Sequence, residues 1–214
     1  MKHIEFYFDF ISPYAFLAFE KLPETLMGLS YGVTYKPVVF APMLQHFGQL
    51  GPAEIEPKRD WTYRQVLWLA HANGIDLQMP AAHPFNPLAL LRLAVACGEK
   101  GACNRYVTEA IFNHTWRGGA DPTDAQRVQT LVQLLAPKRD VTSDDVKSQL
   151  KANTEEAIAR GVFGVPTIAV DDKLFWGFDA LPMLHSYLCG DTWFESGAWE
   201  AAAQVPVGIR RPTS

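Results

Sequence analysis

Residues 4–8 pack aromatic and β-branched side chains into a short apolar run of the kind a buried strand carries, and residues 33–40 repeat it. Between them, residues 15–26 hold apolar positions at the density and spacing of a packed helix, so the chain opens as β-α-β. After Pro42 the pattern changes. Residues 60–72, 87–97, 106–115, 123–135 and 143–152 carry Leu, Val and Ala at helical intervals, punctuated by Gly74, Gly101 and Gly118-Gly119. Helix starts are signalled by Asp60 before Trp61, by Asn86-Pro87, and by Asp121-Pro122-Thr123-Asp124. Strand character returns at residues 167–170 and 174–176, with Asp171-Asp172 as the hairpin turn, and residues 180–188 close as a helix. Trp193, Phe194 and Trp199 are expected to clamp the tail to the body.

The first strand runs into Ile11-Ser12-Pro13-Tyr14 at a helix entrance, and Gly164-Val165-Pro166-Thr167 opens a strand far downstream. Strand, polar residue, Pro and helix at one end, with a Val-Pro-Thr strand at the other, outline an α/β thioredoxin-like fold whose sheet sequence is interrupted by a large α-helical insertion. The expected division is a thioredoxin-like domain from residues 1–42 and 154–214, with residues 43–153 as an inserted helical domain. In that fold the Ser12 and Val165 segments meet.

Composition narrows the function classes. A chain of 214 residues, 48% hydrophobic, can bury a substantial core. A formal net charge of −4 gives no global basic field for nucleic acid or an anionic membrane. The apolar stretch of residues 6–19 is broken by Asp9, Ser12 and Pro13, so it reads as strand then helix rather than a membrane span, and a reducing, cytoplasmic location is expected. Three cysteines make neither a disulfide framework nor a zinc site, and are expected to be small buried apolar residues. The six histidines lack ligand spacing, so no metal is expected.

A serine at this helix entrance cannot do the two-electron chemistry of a Cys-x-x-Cys pair, but it can donate a hydrogen bond to a thiolate brought in from outside. A free thiol with a pKa near ~8.5 is only about 3% thiolate at pH 7. Bringing that pKa down by about two requires roughly 2.7 kcal/mol of stabilisation of the anion. A helix N-terminus contributes ~0.3 to 2 kcal/mol and a hydrogen bond to a charged group ~1.5 to 3. Ser12 is placed to bring both. Its other reading is simply an N-cap.

Taken together, Phe8-Asp9-Phe10-Ile11-Ser12-Pro13-Tyr14, Pro57-Lys58-Arg59, Phe85-Asn86-Pro87, residues 153–157 running into 161–167, Phe175-Trp176-Gly177-Phe178-Asp179 and Pro206-Val207-Gly208-Ile209 closely resemble the 2-hydroxychromene-2-carboxylate isomerases. These are relatives of kappa-class glutathione transferases within the DsbA-like thioredoxin group. The resemblance implies glutathione as cofactor, a small aromatic substrate and a homodimer. It implies Ser12 as the catalytic donor to the thiolate, and a cis peptide at Val165-Pro166 so that an extended thiol peptide pairs with Val165. It further implies Asp179 for the γ-glutamyl ammonium, Lys58 for a carboxylate of peptide or substrate, and Asn86 as a group orienting the substrate; Asn86 and Asp179 also read as helix caps. Trp61, with Tyr63, Trp68 and Phe85, reads either as a wall for an aromatic substrate or as core. Asp9 reads as a cap for the backbone of residues 11–14. Three positions depart from kappa relatives: Phe47-Gly48-Gln49 for a Thr-Gly-Asn-type turn, Phe178 for a frequent Ser, and Ala180 for a frequent Arg. The implied reaction is nucleophilic catalysis by a recycled thiolate; the rivals are a kappa-type transferase or peroxidase that consumes glutathione, and a thiol- or peptide-binding module without turnover.

Overall fold

The computed structural model describes residues 1–209. Its sheet has the order β2-β1-β3-β4. β1 (Lys2–Phe8) pairs parallel with β2 (Tyr31–Pro37) across α1 (Pro13–Thr25), and antiparallel with β3 (Thr167–Val170), which turns at Asp171 into β4 (Lys173–Trp176). Six helices lie between the two halves of the sheet: α2 (Phe40–His46), α3 (Glu56–Ala72), α4 (Leu88–Cys97), α5 (Arg105–Trp116), α6 (Ala125–Leu135) and α7 (Asp144–Ala159). After β4 come α8 (Leu181–Leu188) and the short α9 (Ala198–Ala202).

Side chains alternate across a strand, and β1 uses both faces. Ile4, Phe6 and Phe8 are fully buried against α1, α4, α5 and α8, while Tyr7 faces Met43 of α2, Ala157 of α7 and Val165. The larger core is aromatic: Phe112 of α5 lies 4.9 to 5.8 Å, centroid to centroid, from Phe8, Phe10, Phe16 and Phe19. It joins sheet and helical layer in one apolar cluster, and α7 runs unbroken through residues 153 and 154.

Several boundaries differ from expectation. The run read as a strand to Phe40 ends at Pro37, because Phe40 starts α2 with Pro42 in its first turn, where a missing N–H does no harm. α3 begins at Glu56, a turn before Asp60, with Pro57 in its first turn; Asp60 is therefore within the helix and pairs with Arg59 at 3.7 Å. α7 continues to Ala159, seven residues past the expected 152, because Asn153 and Thr154 are buried and bonded: Asn153 Nδ2 donates to the Pro37 and Gly101 carbonyls, and Val39 N donates to Thr154 Oγ1. Of the tail aromatics, Phe194 is buried and Trp199 half-buried against Phe175, while Trp193 is exposed and edges onto both. Cys103 is buried and its thiol pushed up to about 12, and Cys97 is half-buried; Cys189 is exposed, because it lies beyond the last buried turn of α8. Among the described residues no helix is long and apolar enough to cross a membrane.

Candidate active site

Antiparallel pairing sets Tyr7 opposite Thr167, so the loop that leaves β1 passes the residues that enter β3. Ser12 and Val165, 153 positions apart in sequence, meet there: Ser12 Oγ donates to the Val165 carbonyl at 3.2 Å and accepts from Ala15 N at 3.2 Å. Ser12 is thus both the N-cap of α1 and a donor, and it is 7% exposed. The Ala15 bond fixes the oxygen, so redirecting the proton requires only rotation of the O–H. Pro13 has no N–H, Ala15 and Phe16 donate to the Ser12 carbonyl, and Tyr14 N–H is left without an acceptor among the described residues. The Val165-Pro166 peptide is cis, as the resemblance implies, and Val165 N–H likewise has no acceptor among the described residues.

Asp179 reaches this place through two links. Gly177 N donates to the Pro166 carbonyl at 2.9 Å, and Gly177 holds φ +96 where a Cβ would sit 2.6 Å from Asp179 Oδ1, so a glycine is required to keep the acid where it is. Burial first, and the Asp179 charge in addition, push the Tyr14 phenol up. Phe178, one of the departures from kappa relatives, is an apolar brace packed with Tyr14, Leu69 and Val66.

Helical periodicity brings α3 to the same entrance. Lys58, Trp61, Thr62 and Gln65 stand at i, i+3, i+4 and i+7 and therefore share one face. Gln65 Oε1 accepts from the Tyr14 hydroxyl at 2.6 Å, which sets that face toward the start of α1. Lys58 is exposed and makes no ion pair among the described residues, and Trp61 is 62% exposed, so Trp61 is not core; Trp68, similarly exposed, is not core either. Asn86 Oδ1 accepts from Leu88 N at 3.0 Å at the start of α4, and the residue borders an open groove beside α4 and α6.

Two residues beneath Ser12 complete the arrangement. Asp9 is buried, its Oδ1 accepting from Ile11 N at 3.1 Å and its Oδ2 from Phe40 N at 2.9 Å, so the expected cap of the 11–14 backbone also ties in the start of α2. Burial outweighs these bonds and raises its carboxyl to about 7. His83 was not singled out from sequence. Its Nε2 lies 2.8 Å from the Ile11 carbonyl, which only accepts, so Nε2 carries a proton; the Tyr63 hydroxyl lies 2.7 Å from Nδ1 and donates to the His83 carbonyl at 2.9 Å. Burial holds His83 below its ordinary pKa, against the hydrogen bond to the Ile11 carbonyl, which raises it. Its signal is a long-range contact that no local spacing in His83-Pro84-Phe85 encodes.

Asp9 carries a pH prediction. Its folded pKa is raised, so between about 4 and 7 the folded state holds a proton that the unfolded chain has released, and this contribution to stability is lost as pH rises through about 7. His83 and His114, lowered by burial, act with the opposite sign in part of this window. The observable is the difference: urea unfolding from pH 4.5 to 8 should show wild type losing stability relative to Asp9→Asn as pH rises. A pH-independent difference would mean that Asp9 is ionised throughout.

A family model described as DSBA-like thioredoxin domain matches residues 3–189. A 2-hydroxychromene-2-carboxylate isomerase of Sphingobium xenophagum is 33% identical over 195 residues, covering 87% of this chain and 98% of that protein. Glutathione S-transferase kappa 2 of Caenorhabditis elegans is 27% identical over 209 residues, covering 87% and 92%. Among solved structures, a 2-hydroxychromene-2-carboxylate isomerase superposes with a TM-score of 0.75 at 26% identity, over 91% of this chain and 99% of that one.

Proposed function

Because the chain belongs to the DSBA-like thioredoxin domain family and, within it, to the family of the 2-hydroxychromene-2-carboxylate isomerases, we propose that it is a glutathione-dependent isomerase. It interconverts 2-hydroxychromene-2-carboxylate and trans-o-hydroxybenzylidenepyruvate in the breakdown of naphthalene-type aromatic hydrocarbons. The observation that carries the proposal is the meeting of the Ser12 hydroxyl with Val165 at the N-terminus of α1, where no cysteine stands.

The residues present fit a peptide thiol. The N–H groups of Tyr14 and Val165 are without acceptors among the described residues, and Asp179 and Lys58 are exposed charges with no ion-pair partner among them. Val165 would pair with the extended peptide backbone, Asp179 would hold the γ-glutamyl ammonium, and Lys58 a carboxylate. Glutathione, when bound, supplies a thiol nucleophile. Ser12 is the donor that favours the anionic form of that thiol: its O–H turns from the Val165 carbonyl while Ala15 N keeps the oxygen in place. Trp61, on the α3 face shared with Lys58, offers a flat apolar wall to an aromatic ring. Asp9 and His83 act on the backbone of residues 11 and 12, holding Ser12 in register, and are positioning residues. A homodimer and a cytoplasmic location belong to the same proposal; a dimer would cover exposed apolar groups such as Trp68.

An absorbance time course with 2-hydroxychromene-2-carboxylate, with and without glutathione and with free thiol titrated in parallel, tests the proposal. Conversion that needs glutathione and leaves thiol constant is the expected result. Thiol consumption would identify a kappa-type transferase or peroxidase instead, and binding of glutathione without conversion would leave a thiol-binding module.

A further inference from the structure

The loop of residues 81–87, α4 and the 121–128 segment that leads into α6 border an open groove of about 590 Å³, within the size range of small-molecule sites. Its lining is largely apolar, with Phe85, Leu88 and Val128 among its walls, and it contains one arginine, Arg92. Arg92 Nε is buried with no hydrogen-bond partner, and its guanidinium makes no ion pair or hydrogen bond among the described residues. In the same helical layer Arg105, Arg117, Arg127 and Arg139 each donate to a carbonyl or a carboxylate. Arg92, unlike these four, has neither, and unlike Arg64, which is exposed and also unpaired among the described residues, it has its Nε buried. A buried donor with no acceptor is destabilising, which makes an external acceptor the natural complement.

The carboxylate that borders the groove, Asp121, does not serve. Its Oδ1 accepts from Thr123 N and Oγ1, it faces solvent, and nearby Arg127 helps hold its carboxyl below the ordinary range after the Thr123 bonds. Asn86 has its Oδ1 taken by Leu88 N, which leaves its amide N–H groups as a second donor on the rim.

We infer that this groove is a second ligand site, separate from Ser12, for a small organic carboxylate with an apolar, ring-sized body. A guanidinium fork matches the two oxygens of a carboxylate, and the apolar walls accept the hydrocarbon. One arginine amid apolar walls does not suit a polyphosphate. The site also touches the catalytic end of the molecule: Phe85 packs edge to face on His83 at 6.0 Å, and His83 holds the Ile11 carbonyl beside Ser12. The inference does not rest on glutathione dependence.

The test is titration of 2-naphthoate into the full chain without thiol, followed calorimetrically, with 2-naphthamide as the neutral control. Saturable one-to-one binding is expected in wild type, weakened about tenfold or more by Arg92→Gln, as loss of a charge-assisted contact implies. Ala89→Trp, which fills the groove from the exposed face of α4, is expected to abolish it. Trp61→Ala, which removes the aromatic wall proposed for the Ser12 site, should leave it unchanged, and the amide should bind wild type and Arg92→Gln alike. Thermal melts confirm that each variant is folded. Absence of binding in wild type at millimolar ligand, equal binding by Arg92→Gln, or loss of binding in Trp61→Ala would each overturn the inference; the last would place the ligand at the Ser12 site.

Discussion

Replacing Ser12 by Ala is expected to lower glutathione-dependent turnover at pH 7 by roughly 10- to 150-fold, the range that corresponds to one hydrogen bond to a charged group at ~1.5 to 3 kcal/mol. The hydroxyl is the side-chain donor at the entrance of α1, and Val165 O, its present acceptor, is the group from which the proton would be redirected. Binding of the peptide should change less than turnover, because Val165, Asp179 and Lys58 remain. A cap is lost as well, since Oγ also accepts from Ala15 N, so the variant should be less stable by about 1 kcal/mol. A pH profile separates the two effects. A cap defect alone lowers stability without moving the profile, whereas loss of the donor shifts the thiol toward its free pKa near ~8.5, so that Ser12→Ala recovers activity as pH rises. Turnover within twofold of wild type at pH 7 would remove Ser12 from the mechanism.

The parts of this site that were legible in the sequence are those where local chemistry and distant pairing agree. Ser12-Pro13 reads as a helix entrance from its own residues, and Val165-Pro166-Thr167 as a strand entrance from its own. Only the pairing of β1 with β3 makes them one place, and the fold outlined by the strand and helix pattern supplies that pairing. The α3 face was legible in principle from period 3.6, yet Lys58 lies before the Asp60 signal that was read as the helix start, so its phase with Trp61 and Gln65 was hidden. His83 and the Asp9 bond to Phe40 N were not legible at all, since each depends on a loop from one part of the chain reaching a backbone group in another. α2 was missed because Val38, Val39 and Phe40 continue the apolar run of β2, and composition cannot show where a strand yields to a helix.

The same distinction between local pattern and tertiary contact sets the largest stability effect. Phe112 occupies an ordinary helical position in α5, but it is fully buried where four phenylalanines converge: Phe8 and Phe10 from the strand end, Phe16 and Phe19 from α1. Phe112→Ala is therefore expected to cost about 3 to 5 kcal/mol, because the lost transfer energy is joined by the cost of a cavity that the rings of the strand end and α1 cannot close. A fall in Tm of about 10 °C should accompany it. The consequence for the site is smaller than for the fold: Trp116 Nε1 still donates to the Phe10 carbonyl at 2.9 Å, and Asp9 still holds Ile11 N, so the backbone leading to Ser12 keeps two anchors. Urea unfolding together with turnover measured well below the variant's Tm tests both halves. A loss of stability under 1 kcal/mol would mean that the helical layer does not depend on this ring cluster for its attachment to the sheet. A collapse of turnover in a variant still folded at the assay temperature would mean instead that Phe112 positions Phe10, and through it Ser12, more directly than these two anchors do.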